Sequence, residues 1–230
     1  MAISLDGTSL FAFGEDAVLR EFTMSTAFDL STATQGSTWS GYDNHYPKGL
    51  DFNYDGTKMY VLATQEDVIE EYTLSTAWDI TSTITLEDSF DVISFESSGD
   101  GLAIDKVGGL NLYVAGSANG KVKRFTMSTA LDLTSLAYST GDDITVSYTK
   151  TEDLCISTDG KNMIVFTSVD DYLTQYDLTT AWDSSTASYS KQYDMSSESS
   201  GFAAMCFSND GTMMYAIDNG TDKIYSYSLA

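Results

Sequence analysis

Apolar and polar residues alternate with a period of two in the recurring segments of this chain, and helical spacing is nearly absent. VIEEYTL (68–74) shows the pattern well. Such alternation puts successive side chains on opposite faces of a half-buried strand. Just before it, Asp55-Gly56 stands between DFNY and TKMYVL, a strong short-range hairpin signal whose glycine supplies positive φ at low steric cost. A polar break, TQED, precedes VIEEYTL, and TITLEDSF follows as a fourth strand. One unit therefore reads as four antiparallel strands.

The unit recurs. ISLDGTSLFAF begins at Ile3, DFNYDGTKMYVL at Asp51, AIDKVGGLNLYV at Ala103, CISTDGKNMIVF at Cys155 and CFSNDGTMMYAI at Cys206. A second phrase links the third and fourth strands: FTMSTAFDLS, YTLSTAWDIT, FTMSTALDLT and YDLTTAWDSS. Its alanines, Ala27, Ala77, Ala130 and Ala181, stand 50, 53 and 51 residues apart, a propeller-blade spacing. Near-identical turns at a fixed period favour blades that bury their flanks against neighbouring blades over two stacked sheets. The expected fold is an all-β, five-bladed β-propeller in a single domain, 1–230. Blades fall at about 1–46, 47–98, 99–150, 151–200 and 201–230.

Within the linking phrase, Asp29, Asp79, Asp132 and Asp183 are placed to accept turn N–H groups. Phe28, Trp78, Leu131 and Trp182 are expected to plug the gaps between blades. Leu131 offers no π face, which disfavours sugar stacking at this position. The fifth unit reaches KIYSYSLA without the phrase, so its blade should have three strands. Ile224, Tyr225, Ser226, Tyr227 and Ser228 should then form an edge open to another strand.

Strand order sorts the loops. The Asp-Gly turns and the corner phrases share one face and repeat. The other face carries GSTWSGYDNHYPKG, DSFDVISFESSGDG, STGDDITVSYTKTED and SKQYDMSSESSGFA, which differ throughout. Varied loops on a repeated frame are where recognition concentrates. Trp39, Tyr42, His45, Tyr46, Phe95 and Tyr148 are the candidate ligand-binding residues, because aromatic faces beside carboxylates and hydroxyls suit a pyranose. The same rings also suit the seams between blades.

Charge narrows the partners. Eleven Lys and Arg against 34 Asp and Glu give a net charge of −23, which repels phosphate backbones and anionic lipid. Neither nucleic acid nor membrane insertion is expected. No apolar run approaches the length of a membrane span, and MAISLDGTSLF lacks the features of a secretory signal.

Catalytic chemistry is thinly represented. His45 is the sole histidine, so a His-rich metal site is excluded and a Ser-His-Asp triad would rest on one loop residue. No phosphate-cradling glycine motif or CxxC occurs. Asp51, Asp105 and Asp153 are the innermost-strand carboxylates to weigh for glycoside hydrolysis, but they do not occupy one matching position in their units. SSGDG and TGDD could meet calcium, although no EF-hand spacing is present. Neither a catalytic set nor a metal or other cofactor is assigned. Cys155 and Cys206 align in adjacent units and are expected to be two free thiols packed as small hydrophobes.

The units, DFNYDGTKMYVL followed by VIEEYTLSTAWDIT, resemble a propeller repeat of bacteriophage-encoded virion and tail-associated proteins, especially from marine phages. The likeness spans essentially the whole chain; unit three departs from it at KVGG and Leu131. It implies a non-enzymatic particle component: a capsid decoration, a tail or fibre module, or a host-attachment domain. Its partners would be other virion proteins or identical subunits, with host-surface glycans at the varied face, and its location the virion. The competing readings are a free glycan-binding lectin, a five-bladed glycoside hydrolase-like enzyme and an intracellular scaffold.

Overall fold

A computed structural model describes all residues except 43–45, 119, 147–149, 199–200 and 230. The described chain forms five small antiparallel sheets in a ring, a five-bladed β-propeller whose last blade has three strands. Blade one holds β1 (Ala2–Ile3), β2 (Ser9–Phe13), β3 (Leu19–Met24) and β4 (Ala33–Trp39). Blade two holds β5 (Pro47–Phe52), β6 (Lys58–Ala63), β7 (Val68–Leu74) and β8 (Ile84–Asp91). Blade three begins with β9 (Gly99–Ile104), β10 (Asn111–Gly116) and β11 (Lys121–Met127). Its fourth strand is split into β12 (Leu136–Tyr138) and β13 (Ile144–Thr145), both paired with β11. Blade four holds β14 (Thr151–Ile156), β15 (Asn162–Thr167), β16 (Tyr172–Leu178) and β17 (Ala187–Asp194). Blade five has β18 (Phe202–Phe207), β19 (Met213–Asp218) and β20 (Lys223–Ser228), with β20 at its edge.

The first turn of each blade is longer than a two-residue hairpin. In blade one, Gly7 N donates to Ser4 O at 3.0 Å and Ser4 N to Ser9 O at 2.8 Å, enclosing four residues. The glycine takes positive φ, +70°, and the aspartate does not, which excludes a type I′ turn. The Asp6 carboxylate instead accepts the Thr8 N–H at 3.0 Å. The same bond recurs at Asp55, Asp159 and Asp210. The second hairpin also needs one left-handed residue, filled by Ala17, Asp67, Gly120, Asp171 and Asp222 in turn.

The corner phrase holds the ring together. Its plug residue adopts φ of 62°, 61°, 58° and 61° at Phe28, Trp78, Leu131 and Trp182, unusual for bulky side chains. Each donates its N–H to the turn glycine of its own blade: Gly7, Gly56, Gly109 and Gly160, at 2.8–2.9 Å. The side chain then covers that glycine so closely that a Cβ there would lie 2.2–2.7 Å from it. Glycine is therefore required twice over, for φ and for room. The corner aspartates accept N–H groups two residues on, as at Asp79 and Thr81 (2.8 Å).

The preceding blade grips each corner from its second strand. Tyr60 OH donates to Leu131 O at 3.3 Å and Tyr215 OH to Phe28 O at 2.6 Å, while Tyr113 OH donates to Trp182 O. Phe11 takes this place in blade one and stacks on Trp78, centroids 6.2 Å apart. The Tyr215 bond, with Asn209 Nδ2 to Leu5 O at 2.8 Å, joins the last blade to the first without a shared strand.

Two variants measure these joints. Tyr215→Phe should lower stability by about 1 kcal/mol, since Phe11 shows that a bare ring fits and one buried hydrogen bond is lost. Trp78→Ala, which empties a seam between blades, should cost about 3 kcal/mol. Urea unfolding midpoints read both; equal losses would remove the seam account.

Candidate functional site

Innermost strands are edges that face the propeller axis, so their inward N–H groups need acceptors. Asp51 of β5 supplies two: it accepts Phe52 N at 2.9 Å and, across the seam, Ile104 N of blade three at 3.1 Å. Lys106 Nζ, from the blade-three turn, completes its shell at 2.8 Å. Burial alone would lower the Lys106 pKa, but Asp51 beside it holds the ammonium above its usual value. Asp153 of β14 does the same two joints further on, accepting Leu154 N at 2.8 Å and Met205 N of blade five at 2.7 Å. Burial pushes the Asp153 carboxyl up to about 7.

The register places these two carboxylates out of line. Asp51 pairs with Tyr60, and the residue of blade four at that position is Cys155, paired with Ile164. Asp153 lies two residues nearer the varied face, where blades two and three carry Gly49 and Gly101. A Cβ at Gly101 would stand 2.6 Å from Asp153 Cα, so the inner strands touch backbone to backbone. Asp105 belongs to neither layer: it closes the blade-three turn, accepting from Val107 N (3.1 Å), Gly108 N (2.7 Å) and Asn111 Nδ2 (3.1 Å). These three carboxylates are therefore not brought together as a catalytic pair.

Cys155 and Cys206 are free thiols in equivalent positions on β14 and β18. Cys155 Sγ donates to Met205 O at 3.3 Å. Burial raises both thiol pKa values, that of Cys206 to about 12, which makes them poor nucleophiles. They border a cavity of about 1040 Å³ that takes in Asp51, Lys106 and Asp153 and extends outward along the seam between blades four and five.

On the varied face, the candidate rings are distributed differently from one another. Trp39 and Tyr42 fill the seam between blades one and two: Tyr42 is 5% exposed and packs on Phe13 at 5.3 Å, and Trp39 meets Tyr72 edge-on at 5.5 Å. Phe95 lies among Phe90, Phe125 and Tyr138, with centroids 4.8–6.4 Å away. Tyr46 points outward, 62% exposed. His45 and Tyr148 lie outside the described residues. Among the described candidates, then, one ring is exposed and three are seam packing.

At the varied-face end of the inner strands stands a pair that the sequence did not reveal. Burial, and then the charge of Glu152, raise the Asp100 pKa to about 6. Glu152 is 8% exposed, accepts from Ser168 Oγ at 2.6 Å and is ion-paired with Lys150. A carboxyl held partly protonated beside an ion-paired one is an arrangement that can carry acid–base chemistry. It was hidden because the partners come from different blades and share no motif.

Among the described residues, no group of three or more His, Cys, Asp or Glu is arranged to hold a metal, and no helix is long and apolar enough to cross a membrane.

A scan of protein-family models gives no match, and neither does a search of curated sequences. The fold itself has solved relatives. A functionally unknown protein from Desulfotomaculum acetoxidans is similar over 99% of this chain and 68% of its own, with TM-score 0.57 and 12% identity. A protein provisionally described as a 6-phosphogluconolactonase from Bacteroides uniformis covers 99% of this chain and 66% of its own, with TM-score 0.57 and 13% identity. A second protein so described, from Bacteroides fragilis, gives TM-score 0.60 at 12% identity, over 99% of this chain and 79% of its own. At such identities the likeness establishes the propeller architecture alone.

The buried carboxyl makes a pH prediction. A group whose pKa is raised on folding stabilises the fold below its unfolded value, 3.8, and that contribution is lost as pH rises through about 7. Asp153→Asn should therefore gain stability relative to the parent between pH 5 and pH 8, by about 2–3 kcal/mol. Urea titrations at the two pH values measure the difference; a pH-independent difference would contradict a buried, protonating carboxyl.

Proposed function

We propose that this chain is a non-enzymatic structural and attachment module of a bacteriophage particle, docking to other virion proteins and presenting its varied loop face to a host-surface glycan or protein. The observation that carries the non-enzymatic part is the use of Asp51 and Asp153. Each accepts a backbone N–H from the neighbouring blade, so the acidic axis belongs to the architecture. The phage setting is supported by the resemblance of the repeated units. The net charge of −23 fits partners other than nucleic acid, and the exposed Tyr46 ring gives the varied face one stacking platform.

Mass spectrometry of particles purified from the native source tests this reading. The chain should copurify at a fixed copy number per particle; its absence from particles, with the free protein present in the lysate, would overturn the assignment.

A hydrolase is the second reading, favoured by Asp100 beside Glu152. The fold of proteins provisionally described as 6-phosphogluconolactonases adds lactones to the glycosides worth assaying. If that reading holds, Asp100→Asn should reduce turnover by about 100-fold or more on whichever of the two is hydrolysed, the scale of one general acid–base group. No turnover by the parent protein would dismiss it.

A further inference from the structure

The innermost strands share an irregularity at their varied-face ends. In blades two, three, four and five the first strand slips against the second, leaving Lys48, Asp100, Glu152 and Ala203 as the extra residue. A bulge takes its extra residue out of the ladder and re-aims the side chain. The bulge repeats, so it answers a demand of the ring. What it presents does not repeat: an ammonium, two carboxyls and a methyl group.

Three of these side chains come together. The glycines after the first two bulges bring the strands into contact, Gly49 against Leu102 and Gly101 against Asp153. Burial, and then Glu152 of blade four, raise the Asp100 pKa, while Lys48 of blade two, the Ser117 hydroxyl and Lys150 oppose the rise. Glu152 is already engaged by Ser168 and Lys150. The half-buried Asp100 and the exposed Lys48 are the groups turned to the mouth of the axis.

Tyr46 stands two residues before Lys48 and carries the third observation. Its φ is +48°, although a residue before proline is normally held extended. Two bonds to its carbonyl pin it there, from Thr64 N at 3.2 Å and Thr64 Oγ1 at 3.3 Å. Every other non-glycine residue of positive φ among the described residues belongs to a hairpin turn or is a corner plug. The plugs recover their strain by burying a side chain, and Tyr46 leaves its ring 62% exposed. Packing does not account for a strained, exposed aromatic, and strain of this kind gathers at ligand sites.

From these we infer that the varied-face mouth of the axis is a saccharide site, in which Tyr46 stacks on a neutral pyranose while Asp100 and Lys48 bind the hydroxyls along its edge. The Asp100 carboxylate accepts from sugar hydroxyls, and the Lys48 ammonium donates to a hydroxyl or the ring oxygen. One ring face amid charged groups suits a sugar better than a protein, whose interface centre is depleted of charge. Asp100 and Lys48 offset each other, and the net charge of −23 opposes a polyanion, so the sugar is uncharged. The inference rests on the glycan-attachment reading above and supplies its site and ligand class.

An array of neutral and acidic oligosaccharides, followed by calorimetric titration of the whole chain with a retained neutral glycan, tests it. Retention of neutral glycans is expected, with a Kd of about 1 mM or tighter. Tyr46→Ala should weaken binding about ten-fold while Tyr46→Phe, which keeps the ring, stays within about two-fold of the parent. Asp100→Asn should weaken it about ten-fold, as loss of a charge-assisted hydrogen bond does, and Lys48→Met several-fold. Tyr189→Ala, which removes an exposed ring from the outer strand of blade four, should leave binding unchanged. No retained neutral glycan, retention of acidic glycans alone, or binding that survives both Tyr46→Ala and Asp100→Asn would overturn the inference. The titration uses the isolated chain and copurification uses particles, so each reading fails on its own result.

Discussion

The structure depends on one contact repeated around the ring: a bulky residue in left-handed conformation, seated on a glycine of its own blade and gripped by the blade before it. A propeller blade buries neither flank by itself, so its stability is set at the joints. Here each of four joints combines an apolar plug, a backbone hydrogen bond to the turn glycine and, in three cases, a tyrosine hydroxyl on the plug's carbonyl. The left-handed φ turns the plug inward. Placing a tryptophan there costs roughly 1–2 kcal/mol of backbone strain, which burying its ring more than offsets. Leu131 serves the same joint without a π system, so the contact works through shape and apolar area.

Five blades make the narrowest part of the ring crowded, and the axis shows it. Inner strands approach closely enough that Gly49 sits against Leu102 and Gly101 against the backbone of Asp153. Their inward N–H groups cannot all reach water, and carboxylates reaching across the seams answer some of them. The acidity of the axis is thus a consequence of closing a small ring. Lys106 balances one of these charges, and Asp153 answers the same demand by holding its proton more tightly.

The fold was legible in the sequence because its signals are local. Period-two alternation, a recurring Asp-Gly and a fixed spacing each lie within a few residues, and together they specify blades, their number and the three-stranded fifth. The geometry of the turn differs in one respect from the sequence expectation: Asp-Gly lies in the middle of a four-residue loop and does not make a two-residue one, because the aspartate's carboxylate closes the turn while its backbone stays outside the left-handed region. What lies between blades was far less readable. Trp39, Tyr42 and Phe95 look like presented aromatics in a varied loop, yet each reaches a seam whose other wall is many residues away. Asp100 and Glu152 share no motif and meet because β9 and β14 are neighbours in the ring.

The exceptions to the repeat carry more information than the repeat. Where copies agree, as at the turn carboxylates Asp6, Asp55, Asp159 and Asp210, the residues answer a demand of the blade itself. Where one copy departs, it does so beside a changed neighbour. Ile164 replaces tyrosine where the described residues supply no following corner, and Gln175 replaces a charged residue at the same joint. Thr151, whose hydroxyl donates to Gly116 O at 2.5 Å, stands where the innermost strands of blades two, three and five begin with Pro47, Gly99 and Phe202. Departures of this kind come in pairs across a seam, since a blade can change its flank only together with the surface that flank meets. The joint between blades four and five shows such a paired departure, with an apolar residue and an inward-turned amide on one side and an uncovered glycine on the other. That pairing marks the asymmetry as a property of the interface, shaped on both walls.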